Sequence, residues 1–179
     1  METEPTDLWP FDPDRPEPPL STGAVGWGGV EVAEPELARA VRARFEVTKH
    51  HVLATLRADG APRVSGTEVI FHRGVLALGS MFGAVKALDL LRDGRFALHS
   101  NPGDGSMEGG DAKVSGRAVA LGGTVAAAIE ADLPQGVPEP FHLFRLDVTQ
   151  VVLSEVDHER ECMVIRSWWP ERGLVTVER

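Results

Sequence analysis

The chain of 179 residues is long enough for one domain with a hydrophobic core and too short for two ordinary ones. Its formal net charge of −9 argues against nucleic acid as the main partner, because phosphate contacts need clustered lysine and arginine. Cys162 is the single cysteine, so an intrachain disulfide is excluded, and neither a signal peptide nor a membrane-spanning stretch is recognisable. These features predict a cytoplasmic protein with no membrane partner.

Residues 1–33 are predicted to form an extended arm ahead of a domain that covers residues 34–179. Six prolines fall within residues 1–20, and proline fixes φ and removes a hydrogen-bond donor. Residues 21–32 are glycine-rich and are predicted to be irregular. Two interpretations of the proline-rich part stay open, a mobile tail or a segment that docks on a partner subunit.

The domain is predicted to begin with a helix over residues 34–47 and a β-hairpin over residues 51–71. Leu37, Val41 and Phe45 follow a helical spacing and form one apolar stripe. In the hairpin, Asp59-Gly60 lies between two β-rich runs, a strong turn signal. The second strand alternates, so Arg63, Ser65 and Thr67 share one face and Val64, Gly66 and Glu68 share the other.

The remaining elements are predicted to be mostly short strands. A helix is expected over residues 84–92, with Val85, Leu88 and Leu91 toward the core, and another over residues 124–131. Strands are expected over residues 75–79, 95–100, 111–121, 143–153, 162–168 and 174–178. Most links are too short for crossovers between parallel strands, so the sheet should be largely antiparallel and closed into a barrel or sandwich.

Three segments carry a family resemblance: HVLATLRADGAPRVSGTEVIF, GVLALGSMFGAVKALDLLRDGRFALHS and DAKVSGRAVAL. They resemble the FMN-binding split barrel of pyridoxamine 5'-phosphate oxidases and of their FMN- or F420-dependent relatives, over roughly residues 37–155. The resemblance implies a mainly β fold, a six-stranded Greek-key antiparallel barrel of the split β-barrel type. It also implies a homodimer that binds the cofactor in a groove between the subunits.

The resemblance further implies phosphate-binding positions at Lys86, Ser80 and Arg63. Glu68 and Val85 stand where the oxidase itself carries a lysine and an arginine. These departures favour a relative of the oxidase over the oxidase.

Elementary chemistry supports a phosphate cradle at the start of the helix over residues 84–92. A helix N-terminus offers unpaired N–H groups and a partial positive charge. Ser80 can donate a hydroxyl hydrogen bond, Gly83 lets the backbone come close, and Lys86 adds a full charge. The alternative is an ordinary strand-to-helix loop with a solvated lysine.

Two strand faces provide further candidates for cofactor binding. Arg63, Ser65 and Thr67 are candidates for lining the cofactor groove, and Lys113 lies on one face of a later strand with Ser115 and Arg117. The alternative for both faces is ordinary exposure to solvent.

The predicted function is that of a flavin- or F420-dependent oxidoreductase in which the cofactor supplies the redox chemistry. The sequence contains no tyrosine, no metal-ligand spacing and no clear acid–base constellation, so catalytic residues stay unassigned. Two alternatives remain, a non-catalytic flavin or F420 carrier and a haem-binding relative. The haem alternative needs an axial ligand, for which His72, His99 and His142 are the candidates.

Overall fold

The computed structural model describes residues 16–103, 107, 109–132 and 140–179, and these residues form nine strands and four helices. The helices are α1 Trp27–Ala33, α2 Pro35–Glu46, α3 Val85–Arg92 and α4 Gly123–Ala131. The strands are β1 His51–Leu56, β2 Pro62–Thr67, β3 Ile70–His72, β4 Val75–Met81, β5 Arg95–His99, β6 Asp111–Ala120, β7 Phe141–Asp157, β8 Cys162–Trp169 and β9 Gly173–Glu178.

The strands form one antiparallel sheet that closes on itself. Its order is β2-β1-β5-β6-β7-β4-β3, so β2 and β3 are the two ends of the path. Only two residues, Glu68 and Val69, separate these ends in the chain, which holds them within about 11 Å of each other. The single strand predicted over residues 63–71 is therefore interrupted, with its first part paired to β1 and its second part to β4. Counted as one interrupted strand, it completes the predicted six-stranded split barrel.

The β1–β2 hairpin turns where the sequence predicted it. The Arg57 N–H donates to the Ala61 carbonyl at 2.8 Å, and the Asp59 carboxylate accepts from the Ala61 N–H at 2.9 Å. Gly60 has φ +83°, a conformation that favours glycine because it has no Cβ. The register that follows sets Arg63 opposite Thr55.

Helix α1 lies within the region that the sequence predicted to be irregular, and that prediction is wrong for residues 27–32. The helix forms because Trp27 and Val30 are buried in the barrel core, with the Trp27 ring edge-on to Phe71 at 5.0 Å. Tertiary burial thus outweighs the low helix propensity of Gly28 and Gly29.

Helices α2 and α4 were both predicted within two residues of their observed ends. The buried stripe of α2 contains Leu37, Val41 and Phe45, as the spacing predicted. On the other side of the barrel, Ala126 and Ile129 of α4 belong to a second, smaller apolar cluster. The first fifteen residues of the predicted arm lie outside the described residues.

The described part of the arm docks on its own barrel. Arg145 is 5% exposed, and its guanidinium donates to the Pro18 carbonyl at 2.9 Å and to the Pro19 carbonyl at 2.8 Å. Asp147 is fully buried and accepts from both the backbone N–H and the hydroxyl of Ser21, at 2.7 and 2.8 Å. We call the contact of residues 17–21 with Arg145 and Asp147 the N-terminal clasp. For residues 17–21 this contact differs from both predicted arrangements of the arm, a mobile tail and a segment docked on a partner subunit.

Strands β8 and β9 continue the sheet beyond the barrel. Strand β7 pairs with β4 and β6 through part of its length and with β8 through its second half. The outer strand β9 leaves Leu174, Val175 and Val177 about 40% exposed. Among the described helices, none is long and apolar enough to cross a membrane.

Candidate cofactor site

The N-terminus of α3 meets the free edge of β2. Strand β2 pairs with β1 alone among the described strands, and Lys86, in the first turn of α3, donates from Nζ to the Gly66 carbonyl at 2.6 Å. Gly83 precedes the helix with φ +69°, and a Cβ built on it would meet nothing within 4 Å. The lysine ammonium, the start of the helix and an open backbone turn therefore share one place, which we call the α3 cradle.

Ser80 leads into the cradle at the end of β4. It is 7% exposed, and its Oγ is buried with no hydrogen-bond partner among the described residues. Directly opposite on β7, His142 accepts the Gly83 N–H on Nε2 at 3.2 Å, and the Phe82 ring stacks on the imidazole at 5.1 Å. His142 therefore holds the cradle turn in place, and Ser80 keeps an unused donor beside it.

Arg63 of β2 forms an ion pair with Asp89, which lies about one helical turn after Lys86 in α3. Its Nε donates to the Asp89 carboxylate at 2.6 Å, and Thr55 donates to the same oxygen at 2.9 Å. Arg92 reaches the other carboxylate oxygen at 3.3 Å. Asp89 is 2% exposed, so this group of charged side chains fixes α3 against β1 and β2. Arg63 thus has a structural contact that the sequence did not predict.

The predicted alternation of β2 is confirmed. Arg63 and Ser65 are half-buried and Thr67 is buried, whereas Val64 and Gly66 are exposed. Arg63 reaches Asp89, so the face of β2 that carries Arg63 is turned toward α3 at this end of the strand. At the other end, Thr67 lies opposite His51, which packs on Phe45 of α2. Ser65 therefore stands between the Arg63 ion pair and the end of β2.

The charge of Glu68 acts on the cradle lysine. Burial lowers the pKa of Lys86, and the negative charge of Glu68 opposes that change. Glu68 also lies 3.3 Å from the Lys49 ammonium and 3.8 Å from His50. A bound anion would stabilise the ammonium form of Lys86 further.

Lys113 lies elsewhere on the sheet. Across neighbouring strands, Lys113 of β6 pairs with His99 of β5. His99 in turn pairs with Val52 of β1, and Val52 pairs with Gly66 of β2. Three strand spacings place Lys113 on the order of 14 Å from Gly66 along the outer face. Within one subunit, Lys113 and Lys86 therefore lie on different parts of the sheet.

Helix α3 buries only part of the predicted face, since Leu91 is half-buried against the core as predicted. Ala87, Asp89 and Leu90 are buried, whereas Val85, predicted to face the core, is 55% exposed. This orientation lets the buried Asp89 carboxylate accept hydrogen bonds from Thr55 of β1, Arg63 of β2 and Arg92 of α3 itself. An aspartate among the apolar positions of a short helix was the one sequence signal for this contact.

The cradle fits a phosphate ester by its donors. A phosphate needs N–H and O–H donors and a positive charge. The site presents the unpartnered Ser80 hydroxyl, the start of an eight-residue helix, and the Lys86 ammonium, whose single described hydrogen bond is to one carbonyl. Among the described residues, no cluster of metal-ligating side chains lies here or elsewhere.

The fold is that of the pyridoxamine 5'-phosphate oxidase-like split barrels, as the sequence resemblance predicted. One solved structure of this fold is a pyridoxamine 5'-phosphate oxidase-related, FMN-binding protein from Nostoc punctiforme. It is 14% identical with a TM-score of 0.58, and the alignment covers 82% of this chain and 95% of that one.

Two other solved structures share the fold, and their names refer to other ligands. PhzG from Burkholderia lata, in complex with tetrahydrophenazine-1-carboxylic acid, is 15% identical with a TM-score of 0.57, over 84% of this chain and 91% of that one. A haem-binding protein from Mycobacterium smegmatis is 19% identical with a TM-score of 0.54, over 81% and 88%. No protein-family model matches the sequence, and no curated protein matches it. At these identities the likeness defines the fold, and the ligand has to be argued from the site.

Proposed function

We propose that the protein is an FMN- or F420-dependent oxidoreductase that holds the cofactor phosphate in the α3 cradle. One observation carries the proposal. Lys86 reaches across the free edge of β2 to the Gly66 carbonyl, and the buried Ser80 hydroxyl, at the end of the strand that leads into α3, has no partner among the described residues. A buried donor without a partner and a lysine with a depressed pKa are both costly arrangements that a bound anion would relieve.

Each residue has a distinct part in binding. The Lys86 ammonium neutralises the phosphate, Ser80 donates a hydrogen bond, and the N-terminus of α3 adds its N–H groups. His142 acts through Gly83, whose N–H it fixes at 3.2 Å. Ser65 and Thr67, on the same face of β2 as Arg63, are proposed to line the chain that joins the phosphate to the ring. The bound cofactor would supply the hydride or electron transfer.

FMN and F420 both carry a phosphate on a ribityl chain, so the cradle accepts either. FMN is the first choice because proteins of this fold include FMN-binding ones. The departures at Glu68 and Val85 keep F420 as the alternative.

Replacing Lys86 with alanine should weaken cofactor binding at least tenfold, which corresponds to about 1.4 kcal/mol. The loss follows from the removal of the one full positive charge in the cradle. Fluorescence titration of cofactor-free protein with FMN measures it. Arg39→Ala is the matched control, because Arg39 is exposed on α2, away from the cradle, and carries the same charge. Equal affinity of the Lys86→Ala variant and the wild type would remove the phosphate assignment.

A second copy of the chain is proposed to cover the outer sheet face. The row Gly66, Val52, His99, Lys113, Val152, Ser167 and Val175 crosses seven strands with each residue opposite the next. Beside it, Val64 and Val177 are 72% and 40% exposed. The row begins at Gly66, at the edge of the cradle, so a partner seated here would close the cofactor site. Lys113 of the partner subunit would then be available to it.

Light scattering should therefore show a dimer at micromolar concentration, and Val175→Glu should shift it toward monomer and weaken FMN binding. The reason is that a carboxylate in an apolar sheet-to-sheet contact loses its hydration without gaining a partner. Val32→Glu provides the control, since Val32 is 86% exposed on α1. A wild-type monomer that binds FMN normally would contradict the shared site.

A haem-binding role is the second candidate, and His99 is the observation that favours it. Its Nδ1 lies 2.6 Å from the Ser100 carbonyl, while Nε2 approaches Asp111 no closer than 3.9 Å. The other two candidate ligands are engaged, because His72 lies 3.2 Å from Asp132 and His142 accepts from Gly83. A Soret band that His99→Ala abolishes would support this alternative. A non-catalytic carrier would bind FMN and show no turnover with any reductant.

A further inference from the structure

Strand β9 leaves one hydrogen-bonding edge of the sheet open. Among the described strands it pairs with β8 alone, and no hydrogen bond from another described residue reaches its outer edge. The edge of β2 differs, because Lys86 of α3 binds its Gly66 carbonyl. The apolar side chains of β9 are exposed as well, with Leu174, Val175 and Val177 at 40%, 39% and 40%.

The usual protections of an edge strand are missing from β9. Folded proteins prevent such edges from pairing with another chain by means of lysine, proline or a β-bulge. The sequence GLVTVE contains neither lysine nor proline, and it pairs with β8 in continuous register. An exposed, regular and apolar edge of this kind is a template to which another chain can add a strand.

The pairing with β8 determines which backbone groups of β9 are free. Arg179 exchanges two backbone hydrogen bonds with Met163, at 2.7 and 2.9 Å. Because bonded residues alternate in an antiparallel ladder, the odd-numbered residues of β9 bond to β8. The N–H and C=O groups of Leu174, Thr176 and Glu178 therefore point to the open edge, and an added strand has to pair with them.

The charges at the two ends of β9 favour a second, antiparallel copy of the same strand. Glu171 and Arg172 precede the strand, and Glu178 and Arg179 lie at its end. When Val175 lies opposite the partner's Val175, Arg172 faces the partner's Glu178 and Glu171 faces the partner's Arg179. Opposite charges across a strand pair are favourable, whereas a parallel pair in register would set like charges together.

The same register matches the open backbone groups. With Val175 on the two-fold axis, Leu174 lies opposite the partner's Thr176, and the groups of both residues point to the open edge. A shift of the register by one residue would set free groups against groups already bonded to β8. A shift by two residues would place Glu178 opposite the partner's Leu174 or beyond the partner's strand.

The end charges select the register more than they hold the subunits together. Arg172 already lies 4.6 Å from the centre of the Trp169 ring, and Arg160 donates to both carboxylate oxygens of Glu178. Attraction between exposed charges contributes little to stability. The backbone hydrogen bonds and the apolar side chains of β9 therefore supply most of the contact.

We propose that β9 pairs edge to edge with β9 of a second copy of the chain, antiparallel and with Val175 on the two-fold axis. Such a contact is isologous and joins two nine-stranded sheets into one. It uses the edge of β9, whereas the proposed cofactor dimer uses the outer sheet face, so it does not rest on the proposed function. Together the two contacts make a dimer of dimers.

Cysteine cross-linking tests the register in the full chain. Cys162→Ser removes the single native cysteine, so Val175→Cys in this background carries one thiol. On the two-fold axis the two Cα atoms lie about 4.5 Å apart, within the range that a disulfide spans. Oxidised glutathione should convert most of this variant to a disulfide-linked dimer on a non-reducing gel.

Val177→Cys in the same background is the matched control. Val177 is as exposed as Val175, but it lies four residues, or about 13 Å along the strand, from the partner's Val177. It should cross-link at least tenfold less. Equal yields, or a product from Val177→Cys alone, would overturn the register, and no product from either variant would overturn self-pairing.

Thr176→Pro tests the edge without changing Val175, which also lies in the outer row. Proline removes an N–H that points away from β8, so the edge is blocked while β8 stays paired. Sedimentation of the wild type should show the mass rising from dimer to tetramer with concentration. Thr176→Pro should stop at the dimer, and Thr176→Val, which retains the N–H, should follow the wild type.

The two contacts fail separately in this experiment. If the outer face does not dimerise, the wild type should rise from monomer to dimer and Thr176→Pro should stay a monomer. A variant Thr176→Pro that reaches the same mass as the wild type would overturn the β9 pairing, whatever the outer face does.

Discussion

Replacing Asp89 with asparagine is expected to lower the free energy of unfolding by about 3 kcal/mol at neutral pH. Asp89 is 2% exposed and accepts hydrogen bonds from Thr55, Arg63 and Arg92. Breaking a buried ion pair from one side leaves the other charge buried and unpaired. The value lies at the low end for such pairs because the side chains of Arg63 and Arg92 stay 21% and 40% exposed. Urea denaturation followed by circular dichroism measures the change.

The effect of the substitution should depend on pH. Burial alone would raise the pKa of Asp89, but the hydrogen bonds from Arg63, Thr55 and Arg92 outweigh it and hold the pKa below its ordinary value of 3.8. A depressed carboxyl pKa stabilises the fold above the unfolded-state pKa, and the contribution is lost as the pH falls through the folded-state pKa. The difference between wild type and Asp89→Asn should therefore be full at about pH 7 and should shrink as the pH falls below about 4.

Asp93→Asn is the control for this prediction. Asp93 follows α3 and pairs with Arg95 at 2.6 Å, but the side chains are 26% and 63% exposed, so the substitution should change stability less than Asp89→Asn does. A loss in Asp89→Asn that is no larger than in Asp93→Asn would show that the Arg63 ion pair does not fix α3.

Removing the N-terminal clasp should also lower the stability of the fold by a large amount. A chain that begins at residue 22 should be less stable than one that begins at residue 16 by about 2–4 kcal/mol, because a buried carboxylate and guanidinium each lose charge-assisted hydrogen bonds. In the intact chain Asp147 is fully buried and accepts twice from Ser21, and Arg145 donates to the carbonyls of Pro18 and Pro19. Thermal and urea unfolding of the two truncated chains measure the difference directly.

A single substitution checks that the clasp causes the loss. Ser21→Ala removes one hydroxyl donor, at 2.8 Å from Asp147, and should lower the free energy of unfolding by about 1 kcal/mol. Thr22→Ala, at the next, exposed position, should change it little. Equal stability of the chains that begin at residues 16 and 22 would contradict the clasp.

The fold was largely predictable because its signals are local. Asp59-Gly60 specified the hairpin, alternation specified the two faces of β2, and helical spacing specified the buried stripe of α2. The interruption between β2 and β3 was not predictable, since Glu68 and Val69 continue the alternating pattern. The pairing changes there because one chain segment pairs first with β1 and then with β4, at the two ends of the sheet order. That change depends on how the sheet closes.

Long-range polar contacts explain most of what the sequence analysis missed. Nothing near Arg63 indicates that Asp89, 26 residues later, would take its Nε. The unpartnered Ser80 hydroxyl and the His142 contact to Gly83 depend on which strands become neighbours, and no single segment of the sequence determines the order β2-β1-β5-β6-β7-β4-β3. Helix α1 was missed for a related reason, because the burial of Trp27 overrides a glycine-rich sequence.

The measurement that tests the central claim most directly is titration of purified, cofactor-free protein with FMN, F420 and haem in separate experiments, followed by fluorescence or absorbance. We expect saturable binding of FMN or F420 at one per subunit, weakened at least tenfold in Lys86→Ala and unchanged in Arg39→Ala. Binding of haem alone would contradict the flavin proposal and transfer the site to His99. Binding of none of the three would contradict a cofactor role for the α3 cradle altogether.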